Sequence, residues 1–549
     1  MAAGLRLTTN MLLKSLLRNI GRAAPATSAR TSTPEELLVE ARAHFDANDL
    51  VRAQLLYEDV LELDPGNADA LHFLGLTGER GRDLGFALEY FERSIEARPL
   101  DAVFHNNLGS ALVKAGRTEE AAKCFRKALE IDPGLNIARI NLIFAMVLLE
   151  SAPPEEVYAE HVAWAKIHAD PLLEQAAPHG NSRDPERRLR IGYVSADFRQ
   201  HALSYFIEPA LAQRDRAAFE VFCYHSGRIV DAVTRRLARH ADHWQEVFEL
   251  DDAQLARQIR GDGIDILVDL SGHLRGNRLL VFARKPAPLL MTYLAYPNTT
   301  GMRAMDYRLS DAVCDPPGMT ERYYRETLMR LPRCMWCYQP SADMPAVAPP
   351  PAQARGAVTF ASMNGADKIT AGMLALWARI LGEIPESRMA FTTVPEQGRA
   401  RIRDALARAG IAAARIDMHD RLPTADFWAL YAGIDILLDT YPMNGGTTTC
   451  EALWLGVPVV SRSGRVFQSR AGLSILGSVG LGELVADTDE NYVRIAVELA
   501  RDRARLAALR AGLRERMRAS PLTDARAYAR ELESSYRSIW RHWCSRPPR

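Results

Sequence analysis

The stretch of this chain richest in chemistry runs from Asp435 to Pro458. An apolar run, Ile436-Leu437-Leu438, leads through Asp439 into Asn444-Gly445-Gly446-Thr447-Thr448-Thr449 and then Cys450-Glu451-Ala452-Leu453-Trp454. It reads as a buried strand, a Gly and Thr loop, and a helix opening at about Thr447. Backbone N–H groups left free in the first helical turn, the helix dipole and three hydroxyls together make a site for a diphosphate. Glu451 falls one turn into the helix, where a carboxylate can accept hydrogen bonds from a ribose. An ordinary N-cap would account for one threonine and for Glu451. It asks for neither two adjacent glycines nor three threonines in a row.

Three further residues stand where chemistry is done. Lys368, in Met363-Asn364-Gly365-Ala366-Asp367-Lys368-Ile369-Thr370, follows an apolar run and precedes a helical segment. A lysine there can neutralise a departing diphosphate, with Asn364 beside it as a second polar contact for the nucleotide. His201 follows Ile191-Gly192-Tyr193-Val194-Ser195, and an imidazole at a strand end suits general-base work or the orienting of an acceptor hydroxyl. His273, after Val268-Asp269-Leu270-Ser271-Gly272, occupies a similar place and is an acceptor-side candidate, although an isolated histidine is usually structural. Asp487-Thr488-Asp489 has the DxD spacing of a metal site but reads as a helix start, so no metal is expected. Cys334 and Cys337 form a CxxC without the second ligand pair that zinc needs, and are expected to be core thiols.

The elements that must hold these residues form two series. Apolar runs at 189–194, 219–224, 264–270 and 289–296 alternate with helical segments, and so do runs at 358–363, 389–393, 434–438 and 457–461. Such alternation predicts two doubly wound α/β lobes, over 188–338 and 357–522, each a parallel sheet flanked by helices. A Pro/Ala-rich linker, 339–356, joins them, and a C-terminal helix occupies 523–549. Ligands bind at the carboxyl ends of strands in such folds, so a cleft between the lobes is the expected site.

Before the lobes the chain repeats with a period of 34: Pro65, Pro99 and Pro133; Tyr57, Phe91 and Phe125; Ala53, Ala87 and Ala121; Ala41, Gly75 and Gly109. Small residues let paired helices approach, the aromatic fills the space between them, and proline ends each second helix. This is a tetratricopeptide solenoid over 34–136, continued by a helical linker over 137–187. A solenoid of stacked helix pairs offers a groove for peptides or proteins. The first 33 residues carry no acid before Glu35 and form a basic leader, expected to be disordered.

The chain has 549 residues, and its 68 basic and 68 acidic residues balance. No net field therefore recruits nucleic acid or anionic membrane. Seven cysteines without regular spacing make no disulfide framework and point to the cytoplasm. No run of apolar residues is long enough to span a bilayer.

In these motifs the chain resembles the family of eukaryotic O-GlcNAc transferase and plant SPINDLY, in a compact form. The matching stretches are 192–208, 265–311, 360–380 and 435–482, with the repeats. The resemblance implies a GT-B fold and inverting, metal-independent transfer of one sugar from a nucleotide sugar to Ser or Thr of proteins, without a cofactor. It implies that His201 lies beside the acceptor, that Lys368 binds the diphosphate, that Thr447 and Thr448 form the phosphate loop, that Glu451 takes the ribose, and that Pro297 lies near the sugar. Two residues depart from O-GlcNAc transferase: Gly446 stands where that enzyme has histidine, and Asp367 where it has tyrosine. The stretches Ser204 to Glu208 and Thr447 to Glu451 look closer to SPINDLY, whose resemblance implies fucose from GDP-fucose. UDP-GlcNAc is the favoured donor. The readings of other kinds are an inactive tetratricopeptide scaffold, an enzyme acting on a non-protein glycan, and an asparagine N-glucosyltransferase. On the favoured reading the array recruits acceptor proteins while the lobes hold the donor, so loss of residues 1–136 is expected to spare donor hydrolysis.

Overall fold

A computed structural model of the chain describes residues 32–547. The basic leader assigned to 1–33 lies outside them but for its last two residues. Of these, Thr33 caps the first helix, accepting from Glu36 N while the Glu36 carboxylate accepts from Thr33 N.

Three helix pairs open the fold: Pro34–Asp46 with Leu50–Leu63, Ala68–Arg80 with Leu84–Ala97, and Ala102–Lys114 with Thr118–Ile131. The repeat signature is their contact surface. Tyr57, Phe91 and Phe125 are buried together with Ala53, Ala87 and Ala121. Gly75 and Gly109 lie so close to Phe91 and Phe125 that a Cβ on either would come within 2.5 Å of a ring carbon. Each repeat proline comes two residues after a helix end, at Leu63, Ala97 and Ile131. Helices Asn136–Leu148 and Pro154–His168 continue the stack into the first lobe.

That lobe is a seven-stranded sheet: β1 Leu189–Ser195, β2 Phe219–His225, β3 His243–Glu246, β4 Ile266–Asp269, β5 Leu289–Thr292, β6 Tyr307–Asp311 and β7 Thr327–Leu331. Its order is β3-β2-β1-β4-β5-β6-β7, with every pairing parallel. The second lobe contains β8 Thr359–Ser362, β9 Arg388–Thr392, β10 Ile416–His419, β11 Ile436–Leu438, β12 Val459–Arg462 and β13 Val485–Ala486. Their order is β10-β9-β8-β11-β12-β13, again all parallel. Both sheets are therefore doubly wound, with the strand order reversing at β1/β4 and at β8/β11. This is the two-lobed α/β architecture expected. The helix Ala525–Ser545 returns to the first lobe, where the Tyr536 hydroxyl lies 3.1 Å from that of Tyr193.

The strands that the apolar pattern does not reveal are β3, β6, β7, β10 and β13. β3 and β10 are outer strands with no fully buried residue, and β7 buries only Leu331. β6 is interior but carries Arg308 and Asp311, both buried. Edge strands face water on one side and so lack the continuous apolar runs of buried parallel strands.

All seven cysteines are free, and Cys334 and Cys337 are buried in the core. Burial pushes the Cys334 thiol up to about 11. Among the described residues no helix is long and apolar enough to cross a membrane.

Candidate active site

Most of the predicted residues lie at the two switch points, and Pro297 follows β5. In the second lobe, β8 delivers the 363–370 loop and β11 delivers the 439–448 loop, and the two touch. Lys368 Nζ donates to Asn444 O at 3.2 Å, and Thr448 Oγ1 donates to Asn364 Oδ1 at 3.3 Å. Burial lowers the lysine ammonium pKa below its ordinary range, against the opposing pull of Asp367 and Asp439.

Asp439, a residue the motif reading passed over, organises this loop. Its carboxylate accepts from Gly445 N at 2.7 Å, Thr440 N at 2.9 Å and Ser461 Oγ at 2.7 Å. It is wholly buried, and desolvation raises it to about 6 despite those donors and Lys368. The available signal was its position as the first polar residue after a buried strand. Asn444 completes the loop, donating its Nδ2 hydrogens to Thr440 O at 2.8 Å and Arg462 O at 3.2 Å.

The helix Thr447–Trp454 begins at Gly446, and no side chain caps it. Thr447 and Thr448 are half-buried, whereas Thr449 is buried and donates back to Gly445 O at 3.0 Å. Its first-turn amides, two accessible threonines and the lysine thus converge, which is the composition of an anion site. The two glycines are not equivalent. A Cβ at Gly445 would lie 2.5 Å from Thr448 Oγ1 and 3.2 Å from Asn364 Oδ1, whereas one at Gly446 meets nothing within 4 Å. Packing requires glycine at 445 and not at 446.

Glu451 is buried, and its Oε1 accepts from Trp428 Nε1 at 2.9 Å. Desolvation raises it to about 7. Trp428, on the helix Thr424–Leu430, gave no signal in the sequence because a buried tryptophan is ordinarily core.

In the first lobe, His201 lies in the turn between β1 and the helix Ser204–Gln213. Its Nδ1 accepts from Leu203 N at 3.3 Å and stands 3.8 Å from Asp197 Oδ2. The side chain is 33% exposed, so the ring is reachable from solvent. Burial lowers its pKa, while Asp197 acts the other way. Pro297 is buried in the loop after β5. Arg308 holds that loop by donating to Tyr296 O at 3.0 Å and Asn298 O at 2.8 Å, and Glu326 accepts from Thr300 N at 2.7 Å. Asn298 from this loop, with Tyr441 and Gln468 from the other lobe and Glu150 from the array side, lines a cavity of about 340 Å³.

His273 departs from its expected place. It is 1% exposed, enclosed by His161, Trp164 and Tyr296. Its Nε2 donates to Thr300 O at 2.9 Å and its Nδ1 has no partner. Burial depresses it to about 4, so it is a neutral core imidazole that joins the linker helix to the lobe rather than an acceptor contact. At the DxD, Thr488 caps the helix Asp489–Arg501 and Asp487 accepts from Asn491 Nδ2 at 2.7 Å. Among the described residues no group of three or more His, Cys, Asp or Glu is placed to hold a metal ion.

A profile of glycosyl transferase family 41 matches residues 164–341 and 352–532, and tetratricopeptide-repeat profiles match 38–102 and 102–135. The probable UDP-N-acetylglucosamine–peptide N-acetylglucosaminyltransferase SPINDLY of Petunia hybrida is 39% identical over 76% of this chain and 45% of its own length. The UDP-N-acetylglucosamine–peptide N-acetylglucosaminyltransferase of Caenorhabditis elegans is 24% identical over 71% of this chain and 44% of its own length. The chain thus spans about half the length of the curated relatives it matches. A mutant of the Thermobaculum terrenum O-GlcNAc transferase superposes with a TM-score of 0.86 at 39% identity, covering 94% of this chain and 99% of that one.

Proposed function

We propose that this chain, which belongs to glycosyl transferase family 41, transfers a single sugar, GlcNAc from UDP-GlcNAc, to serine or threonine hydroxyls of proteins gathered by its tetratricopeptide array. One observation carries the reading: Lys368, Asn364, Thr448 and the uncapped start of the Thr447–Trp454 helix meet at the β8/β11 switch point. In this role the helix amides and Lys368 hold the diphosphate and stabilise the charge it gains as the glycosidic bond breaks. Asp439 fixes the loop by holding Gly445 N. Glu451 offers its free Oε2 to the ribose while Trp428 holds Oε1. Inversion requires the acceptor hydroxyl to attack from the face opposite the diphosphate, and His201 stands on the first-lobe side of the cleft to orient that hydroxyl. Its Nδ1 faces a backbone N–H, which favours a neutral ring carrying its proton on Nε2. That form donates to the acceptor oxygen, so the base is another group or His201 after a change of tautomer. We place the enzyme in the cytoplasm, consistent with seven unpaired cysteines.

A second reading, fucose from GDP-fucose, is favoured by the open space at Gly446, where O-GlcNAc transferase carries histidine. Calorimetric titration with UDP, GDP, UDP-GlcNAc and GDP-fucose, metal-free in EDTA, separates them. Binding of the uridine pair supports GlcNAc transfer, binding of the guanosine pair moves the donor to GDP-fucose, and binding of none leaves a scaffold.

A further inference from the structure

The array also touches the second lobe, beside the turn that carries Lys368. Gly116, between helices Ala102–Lys114 and Thr118–Ile131, has φ +74°, and a Cβ there would lie 2.6 Å from Arg401 Nη2 and 2.9 Å from Ala366 O. One repeat earlier, a Cβ at Gly85 would lie 2.7 Å from Gln397 Nε2. Arg401 and Gln397 both stand on the helix Glu396–Arg408. Glu119, on the array helix that follows Gly116, acts on the Arg401 charge.

Arg401 reaches from this contact to the lysine turn. Its Nη2 donates to Ile369 O at 2.7 Å and approaches Ala366 O at 3.5 Å. These carbonyls bracket Lys368, whose own N donates to Gly365 O at 3.1 Å while Ile369 N donates to Ala366 O at 3.2 Å. One guanidinium, wedged between the array and the lobe, therefore ties down the backbone on both sides of the lysine. Both bonds leave the same nitrogen, Nη2, while Nε is buried without a partner, so the position of that one nitrogen decides whether the turn is held.

We infer that the array is part of the donor site: Arg401 is a positioning residue for Lys368, and Gly116 sets where Arg401 lies. This rests on the reading of Lys368 as the diphosphate ligand, and it replaces the expectation that donor hydrolysis is indifferent to the array. Displacing a catalytic group by about 1 Å can lower the rate on the order of 100-fold, so small shifts in this turn are measurable.

The test uses the full chain with Arg401→Gln, Gly116→Ala and, as a control, Gly134→Ala, where a Cβ would meet only Asp132 Oδ1 at 3.3 Å. Hydrolysis of UDP-GlcNAc and GDP-fucose is followed without acceptor. In Arg401→Gln and Gly116→Ala, kcat is expected to fall about tenfold with donor KM within about twofold, while Gly134→Ala matches the parent. In a Lys368→Met background, Arg401→Gln is expected to add nothing, because it acts through the lysine. Unchanged kcat, or the same fold loss with and without Lys368, overturns the inference. Amide exchange across residues 363–370 reads the positioning without turnover. It should quicken in Arg401→Gln and Gly116→Ala, and unchanged exchange overturns the inference even in a chain that hydrolyses no donor. Absence of donor turnover in the parent chain counts against the proposed activity instead.

Discussion

Replacing Lys368 by Met removes one ammonium and little else, which makes it the sharpest test of the donor site. The amine makes one hydrogen bond, to Asn444 O, and its pKa is already depressed by burial. The folded protein therefore gains little from holding that charge, and the variant should unfold at the parent's temperature or slightly above. The transition state is different, because the leaving diphosphate gains charge as the sugar departs. Losing one preorganised donor to such a charge costs roughly 3–4 kcal/mol, or about 100- to 1,000-fold in kcat. The assay is release of nucleoside diphosphate at saturating donor, paired with a melting curve. The pH profile gives an independent signature. A lysine with lowered pKa loses its proton before an ordinary one, so the parent rate should fall on the alkaline side below the usual lysine range, and Lys368→Met should lack that limb. A kcat within threefold of the parent, with the fold intact, would refute the role given to Lys368.

The other predictions follow from single contacts. Gly445→Ala should weaken nucleotide binding at least tenfold in calorimetry, since its Cβ would lie 2.5 Å from Thr448 Oγ1, whereas Gly446→Ala should bind within about threefold of the parent. Glu451 and Asp439 have folded pKa values raised to about 7 and about 6. The folded state then holds more protons than the unfolded one between the ordinary carboxylate range and those values. Their contribution is fully present at low pH and is lost as pH rises through 6 to 7, so Glu451→Gln should flatten the fall in melting temperature between pH 5 and 7.5. His201→Phe should lower transfer to a protein acceptor while leaving binding of the nucleoside diphosphate unchanged, and equal loss of both would remove His201 from the acceptor side.

What the sequence made legible follows from which constraints are local. The repeat register, the two α/β series and the Gly and Thr loop each express neighbour-to-neighbour packing, and all were readable from spacing. Gly75 against Phe91 is a contact 16 residues apart that recurs one period later, so the pattern announces it. His273 misled because a strand-end position predicts nearness to the cleft but not which side chains close over it. Trp164 and His161 come from a helix more than 100 residues earlier, and nothing near His273 encodes their arrival. Asp439 and Trp428 were missed for a related reason. A carboxylate that accepts three hydrogen bonds from its own loop and a neighbouring strand looks, in sequence, like any strand-end aspartate.

The array's contacts bear on how the lobes can move. Its linker grips the first lobe where Gly301 packs against the His161 backbone and where Arg303 N donates to Asp170 Oδ1 at 3.1 Å. The second lobe is held by the array at Gly116 against Arg401, and by the linker through the ion pair of Glu150 with Arg462 at 2.9 Å. On the other side, the chain leaves the second lobe and returns through Ala525–Ser545 to pack on the first. Both lobes are thus tied on two flanks. A hinge closure that moved one lobe against the other would have to break the Glu150–Arg462 pair or carry the array with it. These ties sit beside the loops of Lys368 and Pro297, so strain in the array would reach those loops through packed contacts rather than through a flexible tether.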